Sequence, residues 1–483
     1  MSKKIMKAVL SLGLASSFII TGSFNIVKAS QANDFAQMTP DQQEANYGNK
    51  MFFKPVDQNG IKSFVGDPMP YYENGKYYMY YLKDGGDSFR HSIYLATTKD
   101  FVNYEEYKKP IIETEGIGQE EWIGTGSMVK VKNEYLYFYT AHANTDATGF
   151  KETIRVAKGN NLTDLKKDKK FEVTPPEDIH QKNDFRDPQV YYDKKTKKLS
   201  MTVTASKDGV ARILKYSISE NLKEVKYDGI IFTEPTGVFW NLECTDTFKL
   251  GNRWYITYSA QDDTLWYASS DSQFGPYSEP KRLEGKLFYA AKHVEDGKNT
   301  YMVGWSRRSD QTTSMDVNAW AGNLVVQQLK VNSDGSLYLA PVKNYVSTLK
   351  AGQRSKFNHF TQTSETYMIR GSFSYKSLGN FGLSFGYSDD ANQNKLITIN
   401  PQDNTLELNY ENGKKLITKV NAPLKPGKKY SFTYINDGST GVFYIDKIAA
   451  LTVRLHGVTG KNVYLYTKND SVKFSGMEIY RKN

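Results

Sequence analysis

The dominant pattern along this chain is a repeated hairpin. An extended approach leads into a polar turn, and the turn leads into a strand dense in Tyr, Trp or aliphatic residues. The phrase runs over Tyr71–Leu82, Val129–His142, Val190–Ala205, Thr247–Ala260 and Ala291–Ser306. Asn74-Gly75 and Asp296-Gly297 are strong tight-turn signals, and Leu250-Gly251-Asn252 is a weaker one. Behind each of the first four hairpins comes a further extended run, at Ile93–Thr97, Ile154–Lys158, Ile213–Ser217 and Leu265–Ser269. Units of three or four antiparallel strands repeated in this way predict an all-β chain whose first part, about Phe52 to Lys330, is a five-bladed β-propeller. In such a ring the first strand of every blade lines the central channel, so residues far apart in sequence converge at its mouth.

The pattern changes after Tyr345. Residues 346–357 have little apolar periodicity and read as a linker. Short alternating strands then follow, among them Tyr367–Tyr375, Phe381–Tyr387, Leu396–Asn400, Thr405–Tyr410, Tyr430–Asn436, Gly441–Ile445 and Val463–Thr467, which predict a C-terminal β-sandwich. The expected organisation is a signal over 1–29, a propeller over 30–345, the linker, and the sandwich over 358–483.

Composition sharpens this picture. With 35 Tyr and 25 Phe, aromatic residues make up 14% of the chain, a bias that suits sheets and flat sugar-facing surfaces. Lys3, Lys4 and Lys7 precede an apolar run from Ala8 to Ile20, and Val27-Lys28-Ala29 offers the small residues a signal peptidase reads. Cleavage after Ala29 and a secreted, extracellular protein are expected; the run is too short for a membrane span, and no membrane insertion is expected. The formal charge of +10 includes four lysines of that leader, leaving a mild +6 spread over turns and strand edges. That distribution is solvated surface charge, not a nucleic-acid footprint. One cysteine, Cys244, excludes an internal disulfide, and six scattered histidines offer no zinc spacing. Neither metal nor cofactor is expected, and the chain is expected to be a monomer.

The candidate chemistry lies in three acids at the starts of repeats. Asp67 stands in Gly66-Asp67-Pro68, Asp187 in Arg186-Asp187-Pro188 and Glu243 in Leu242-Glu243-Cys244. Occupying equivalent places in the first, third and fourth copies, they would meet at one point. Gathered carboxylates flanked by Arg and Trp are what glycosidic-bond cleavage requires: one group protonates the leaving oxygen while another works from the opposite face. The apolar neighbours Phe239, Trp240, Leu242 and Cys244 suit Glu243 to the acid role, by burial that keeps its proton. Asp67, with no other charge between Lys62 and Glu73, suits a nucleophile. Asp187, kept ionised by Arg186, suits the stabilisation of developing positive charge, and Arg186 itself could hold a hydroxyl. Trp122, Trp240, Trp305 and Trp320 are candidates for stacking on sugar rings.

Gly-Asp-Pro, Arg-Asp-Pro and Glu-Cys in this order resemble glycoside hydrolase family 32, the invertases, levanases and inulinases. Supporting segments are Arg90-His91-Ser92, Thr125-Gly126-Ser127, Phe288-Tyr289-Ala290 and Gly304-Trp305. The resemblance implies a retaining mechanism on β-fructofuranosides, with Asp67 as nucleophile, Asp187 as transition-state stabiliser and Glu243 as acid/base. It adds Ser127 and Tyr289 to the substrate-binding candidates, and makes a fructan such as levan or inulin, or sucrose, the expected substrate. Departures from the family pattern fall in the sugar-holding shell: Gly66 replaces an Asn beside the nucleophile, Leu82 a Gln, and Val326-Gln327-Gln328-Leu329 a Pro-Arg-Glu-Leu segment. Two other readings fit the order of acids, a family 43-like arabinan or xylan glycosidase and a non-catalytic fructan-binding propeller.

Overall fold

A computed structural model of the protein describes residues 51–56, 63–84, 91–143, 149–179, 183–307, 320–386, 394–410, 413–455, 458 and 462–482. The expected signal, its cleavage site and Arg90 lie outside the described residues.

The architecture is all-β, and the hairpins read from the sequence are its repeating part. A first unit holds β1 (Phe64–Glu73), β2 (Lys76–Asp84), β3 (Ile93–Thr98) and β4 (Tyr104–Glu106). The second holds β5 (Trp122–Val131), β6 (Glu134–His142), β7 (Glu152–Asn161) and β8 (Asp164–Lys167), and the third β9 (Phe185–Asp193), β10 (Lys198–Lys207), β11 (Val210–Ser219) and β12 (Val225–Thr233). The fourth holds β13 (Leu242–Leu250), β14 (Arg253–Ala260), β15 (Leu265–Ser270) and β16 (Lys281–Glu284). The fifth holds β17 (Tyr289–Glu295), β18 (Thr300–Arg307), β19 (Gly322–Val331) and β20 (Leu337–Ala340). Units two, three and four are separate four-stranded antiparallel sheets, whereas the first and fifth fuse because β19 pairs with β1 through Val65↔Gly322. The leading strands touch in cyclic order, β1 to β5, β5 to β9, β9 to β13, β13 to β17 and β17 back to β1. Four-stranded sheets of this kind are consistent with a propeller.

One irregularity recurs in every leading strand. Pairing with the second strand slips at residues 67–68, 124–125, 187–188, 244–245 and 290–291, which gives five β-bulges at the same height. Asp67, Asp187, Cys244 and Ala290 open these bulges in the left-handed region, with φ of 38°, 60°, 52° and 52° respectively. Such a conformation costs a non-glycine residue on the order of 1–2 kcal/mol, and it re-aims the side chain relative to regular pleating.

Beyond Ala340 the sequence reading and the structure part company at the expected linker. Lys343–Lys350 forms a helix, α1, with Tyr345 and Leu349 fully buried, followed by β21 (Gln353–Lys356) paired with the last strand of the chain. Two buried positions four apart are a helical stripe too short to register as periodicity. Eleven further strands follow: β22 (Phe360–Gln362), β23 (Thr366–Ser374), β24 (Phe381–Gly386), β25 (Lys395–Asn400), β26 (Thr405–Tyr410), β27 (Lys415–Asn421), β28 (Tyr430–Asp437), β29 (Thr440–Ile445), β30 (Ala449–Arg454), β31 (Asn462–Thr467) and β32 (Lys473–Lys482). They make two six-stranded antiparallel sheets, β21-β32-β23-β28-β29-β30 and β22-β31-β24-β25-β26-β27, whose apolar side chains share one cluster. The sequence reading did not name β30, which is buried along its whole length.

The two parts also share a core. Met368, Ile435, Val442, Tyr444 and Tyr480 belong to the same apolar cluster as Val65, Phe101, Leu324 and Val326. Polar bonds cross the junction as well: Asp437 accepts from the backbone N–H of Met51 and Phe52, and Glu284 accepts from that of Thr452.

Candidate active site

Because the five bulges share one height, the leading strands present their side chains in successive rings. Residues just before the bulge are Gly66, Ile123, Arg186, Glu243 and Tyr289, and those opening it are Asp67, Gly124, Asp187, Cys244 and Ala290. This register corrects the sequence reading in one respect. Asp67 and Asp187 are equivalent, but Glu243 stands one residue earlier, in the place of Arg186, and Cys244 takes the place of the aspartates. A one-residue slip moves a side chain to a different layer, so the three acids reach the site from two rings instead of one.

The first ring is a hydrogen-bonded chain. Arg186 donates from one terminal nitrogen to Glu243 Oε1 at 2.8 Å, and the Tyr289 hydroxyl donates to Glu243 Oε2. The other terminal nitrogen of Arg186 donates to Glu152 at 3.2 Å and to Asp184 at 3.0 Å. Glu152 is itself held by the backbone N–H of Phe185 at 2.6 Å and lies 3.3 Å from His142 Nδ1. Burial works against ionising Glu152, yet Arg186 and His142 outweigh it and bring its pKa down to about 2. For Arg186, burial opposes the charge, but Glu152, Glu243, Asp187 and Asp184 push its pKa further up. The guanidinium is thus a permanently charged, fixed fork.

The second ring holds the aspartates. Thr125 Oγ1 donates to Asp67 Oδ2 at 2.8 Å and the Trp305 indole N–H to Asp67 Oδ1 at 3.1 Å. Asp187 Oδ2 accepts from the Cys244 backbone N–H at 2.7 Å, while the Asp187 N–H donates to Thr140 Oγ1 at 2.9 Å. Burial, then the neighbouring charge of Asp187, raises the Asp67 pKa to about 7. Burial also raises that of Asp187, and it prevails over Arg186, whose side chain turns to the first ring. The expectation that Arg186 alone fixes the charge of Asp187 therefore gives way to a balance in which burial is the larger part. Two positions on from Ala290, the buried Lys292 donates to Gly126 O at 3.0 Å and Gln189 Oε1 at 2.9 Å.

Asp67, Arg186, Asp187, Glu243, Trp122, Tyr289, Trp305 and Trp320 all line one cavity of about 610 Å³. Ser127 and Trp240 do not line it. Ser127 is buried and its Oγ accepts from the Val190 N–H at 3.0 Å, pinning β5 to β9. Trp240 lies exposed, with the Arg186 guanidinium 5.8 Å from its ring. Nor is Glu243 wrapped by its apolar chain neighbours, since its carboxylate meets Arg186 and Tyr289 and keeps 27% of its side-chain surface exposed. His91, from one of the supporting segments, also lines it, and four further lining residues carried no motif in the sequence: His142, Glu152, Asp263 and Arg307, the last two joined in an ion pair.

The departure at Gly66 has a structural counterpart. A Cβ at that position would come within 2.1 Å of the Trp320 ring, so the indole fills the space that a side chain beside Asp67 would need. Trp320 stacks on His91, with ring centroids 4.3 Å apart, and meets Trp305 edge to face at 6.2 Å.

Comparison with known proteins accords with this geometry. Residues 60–341 match the family described as glycosyl hydrolases family 32 N-terminal domain. A sucrose-6-phosphate hydrolase of Escherichia coli is 27% identical over 272 residues, which span 51% of this chain and 55% of that relative. A levanase of Bacillus subtilis is 25% identical over 500 residues, 90% of this chain and 69% of the relative. Among solved structures, a Bombyx mori GH32 beta-fructofuranosidase superposes with a TM-score of 0.72 at 18% identity, covering 95% of this chain and 98% of that one, which establishes a shared fold.

Proposed function

This chain belongs to glycoside hydrolase family 32, and from that membership we propose that it hydrolyses β-fructofuranosidic bonds in fructan or sucrose with retention of configuration. The observation that carries the reading is the convergence of Asp67, Asp187, Glu243 and Arg186 on one cavity inside the matched segment. The fold reading that accompanies it is a five-bladed propeller over 30–345, closed by the pairing of β19 with β1, and a β-sandwich over 358–483.

In the proposed mechanism Asp67 attacks the anomeric carbon of the fructosyl unit while Glu243 gives a proton to the departing oxygen. A fructosyl ester on Asp67 results, and Glu243 then takes a proton from the water that breaks it. The bonds from Thr125 and Trp305 hold the Asp67 carboxylate in a fixed attitude, so little orientation is lost at the moment of attack. Asp187 stands beside it, placed to stabilise positive charge as the oxocarbenium-like state develops. Arg186 and Tyr289 fix both oxygens of Glu243. Trp305 and Trp320 supply the flat apolar wall for the sugar.

Uncharged substrates are favoured over sugar phosphates. Among the described lining residues Asp67, Glu152, Asp187, Glu243 and Asp263 outnumber Arg186 and Arg307, and both arginines are already paired with acids. This agrees with action on levan, the polymer that the name of the Bacillus subtilis relative gives, and with the secretion expected of the leader sequence.

The test is release of reducing sugar from levan, inulin, sucrose, sucrose 6-phosphate and arabinan by the purified protein. Activity on a neutral fructoside is expected, lost by about a thousandfold or more in Asp67→Asn and Glu243→Gln. Hydrolysis confined to arabinan, or equal rates in the parent and the Glu243→Gln variant, would overturn the proposal.

A further inference from the structure

We propose that Arg454, a residue of the C-terminal sheets, is a positioning residue for the active site, holding the strand end that carries Trp305 and Arg307; this rests on the function proposed above. Arg454 ends β30 and is fully buried. Its Nε donates to the carbonyl of Arg307 at 2.6 Å, and one terminal nitrogen to the carbonyl of Ser306 at 2.6 Å. The other terminal nitrogen donates to Asn323 Oδ1 at 2.9 Å on β19, and to Thr440 Oγ1 at 2.5 Å on its own side of the junction.

These contacts fall where the site is built. Ser306 and Arg307 are the last residues of β18; Trp305, next to them, donates to Asp67, and the Arg307 side chain lines the cavity. Across the sheet Arg307 pairs with Gly322, and Gly322 pairs with Val65, two residues before Asp67. One guanidinium therefore ties the end of β18 to β19, the strand that pairs with the one carrying the proposed nucleophile. Its planar fork reaches two successive carbonyls at once, which a lysine ammonium cannot reproduce from one position. A Cβ on Gly322 would stand 1.6 Å from the Ser306 carbonyl oxygen and 3.0 Å from the Arg454 guanidinium, so the two backbones and the guanidinium are closely packed. A shift of the β18 end displaces both the indole that orients Asp67 and the arginine beside it, and misplacement on the order of 1 Å at a reacting group costs up to about a hundredfold in rate.

The test compares Arg454→Lys with Glu284→Gln, which disturbs a second buried bond across the same junction, that from Thr452, at a residue that does not line the cavity. Steady-state kinetics on the best fructoside are read well below the melting temperature of each variant. Arg454→Lys is expected to lower kcat about tenfold with less than a twofold change in KM, while Glu284→Gln leaves both constants near parental values. Should Arg454→Lys fail to fold, Thr440→Val keeps the arginine but removes its 2.5 Å hydroxyl anchor, and a kcat loss of about threefold is expected. Parental kcat in whichever of these two variants folds, or an equal kcat loss in Glu284→Gln, would overturn the proposal. A parent that cleaves no fructoside at all would instead count against the proposed function, so the two failures are distinct.

Discussion

The electrostatics of single residues in this site set opposite expectations for Asp67 and Glu152. Burial raises the Asp67 pKa to about 7, so between the ordinary carboxylate range and about pH 7 the folded protein holds a proton that the unfolded chain has released. Folding stability attributable to this group therefore falls as pH rises through that window. Asp67→Asn should raise Tm by on the order of a few degrees at pH 8 and by little at pH 4, while abolishing activity; thermal melts at the two pH values check this. In the parent, kcat/KM should decline below about pH 7 as Asp67 takes up its proton. Glu152 has the reverse sign. With its pKa held at about 2, it contributes stability that is present above the unfolded carboxylate value and lost as pH falls towards 2. Glu152→Gln should flatten the acid limb of stability over that interval, as measured by denaturant midpoints from pH 5 to pH 2. The three principal acids could be read from the sequence because their motifs are local. Glu152, Asp263 and Arg307 could not, because nothing near them in the chain marks them; they come to the cavity from β7, from the turn after β14 and from the end of β18.

At the scale of elements, the β-bulge is what converts repeated hairpins into a site. Strand periodicity reveals the hairpins, but a bulge inserts one residue without disturbing composition, so the sequence could not separate the ring of Arg186 and Glu243 from that of Asp67 and Asp187. The same local geometry makes Gly66 a sensitive position. With the Trp320 ring 2.1 Å from a built Cβ, Gly66→Ala must displace the indole. A rise in KM of about tenfold is expected, and in the double variant with Trp320→Ala the two losses should fall well short of adding, since both act on the same wall. Additive losses in that cycle would mean that Gly66 and Trp320 act independently. The helix α1 teaches a related lesson at the opposite extreme: two buried residues, Tyr345 and Leu349, were enough to dock it, and two residues are too few to form a readable pattern.

Across the whole molecule, the repeats and the C-terminal sheets behave as one body, because Met368, Ile435, Val442 and Tyr444 sit in the core that also holds Val65 and Leu324. No property of either segment taken alone marks this junction, as its residues look like ordinary interior strand positions in both. Calorimetry should give a single cooperative unfolding transition, and a chain ended before residue 346 should expose that apolar surface and fail to stay soluble. Two separated transitions would show that the shared cluster does not couple the parts. The central claim is that Asp67 forms a covalent bond to the sugar, and it is tested most directly by mass spectrometry of the Glu243→Gln variant. The variant is mixed with a fructoside whose leaving group departs without a proton, then quenched and digested. One anhydrofructose unit is expected on the peptide containing Asp67, whereas an adduct on Asp187, or release of the leaving group with no adduct on the protein, would contradict the claim.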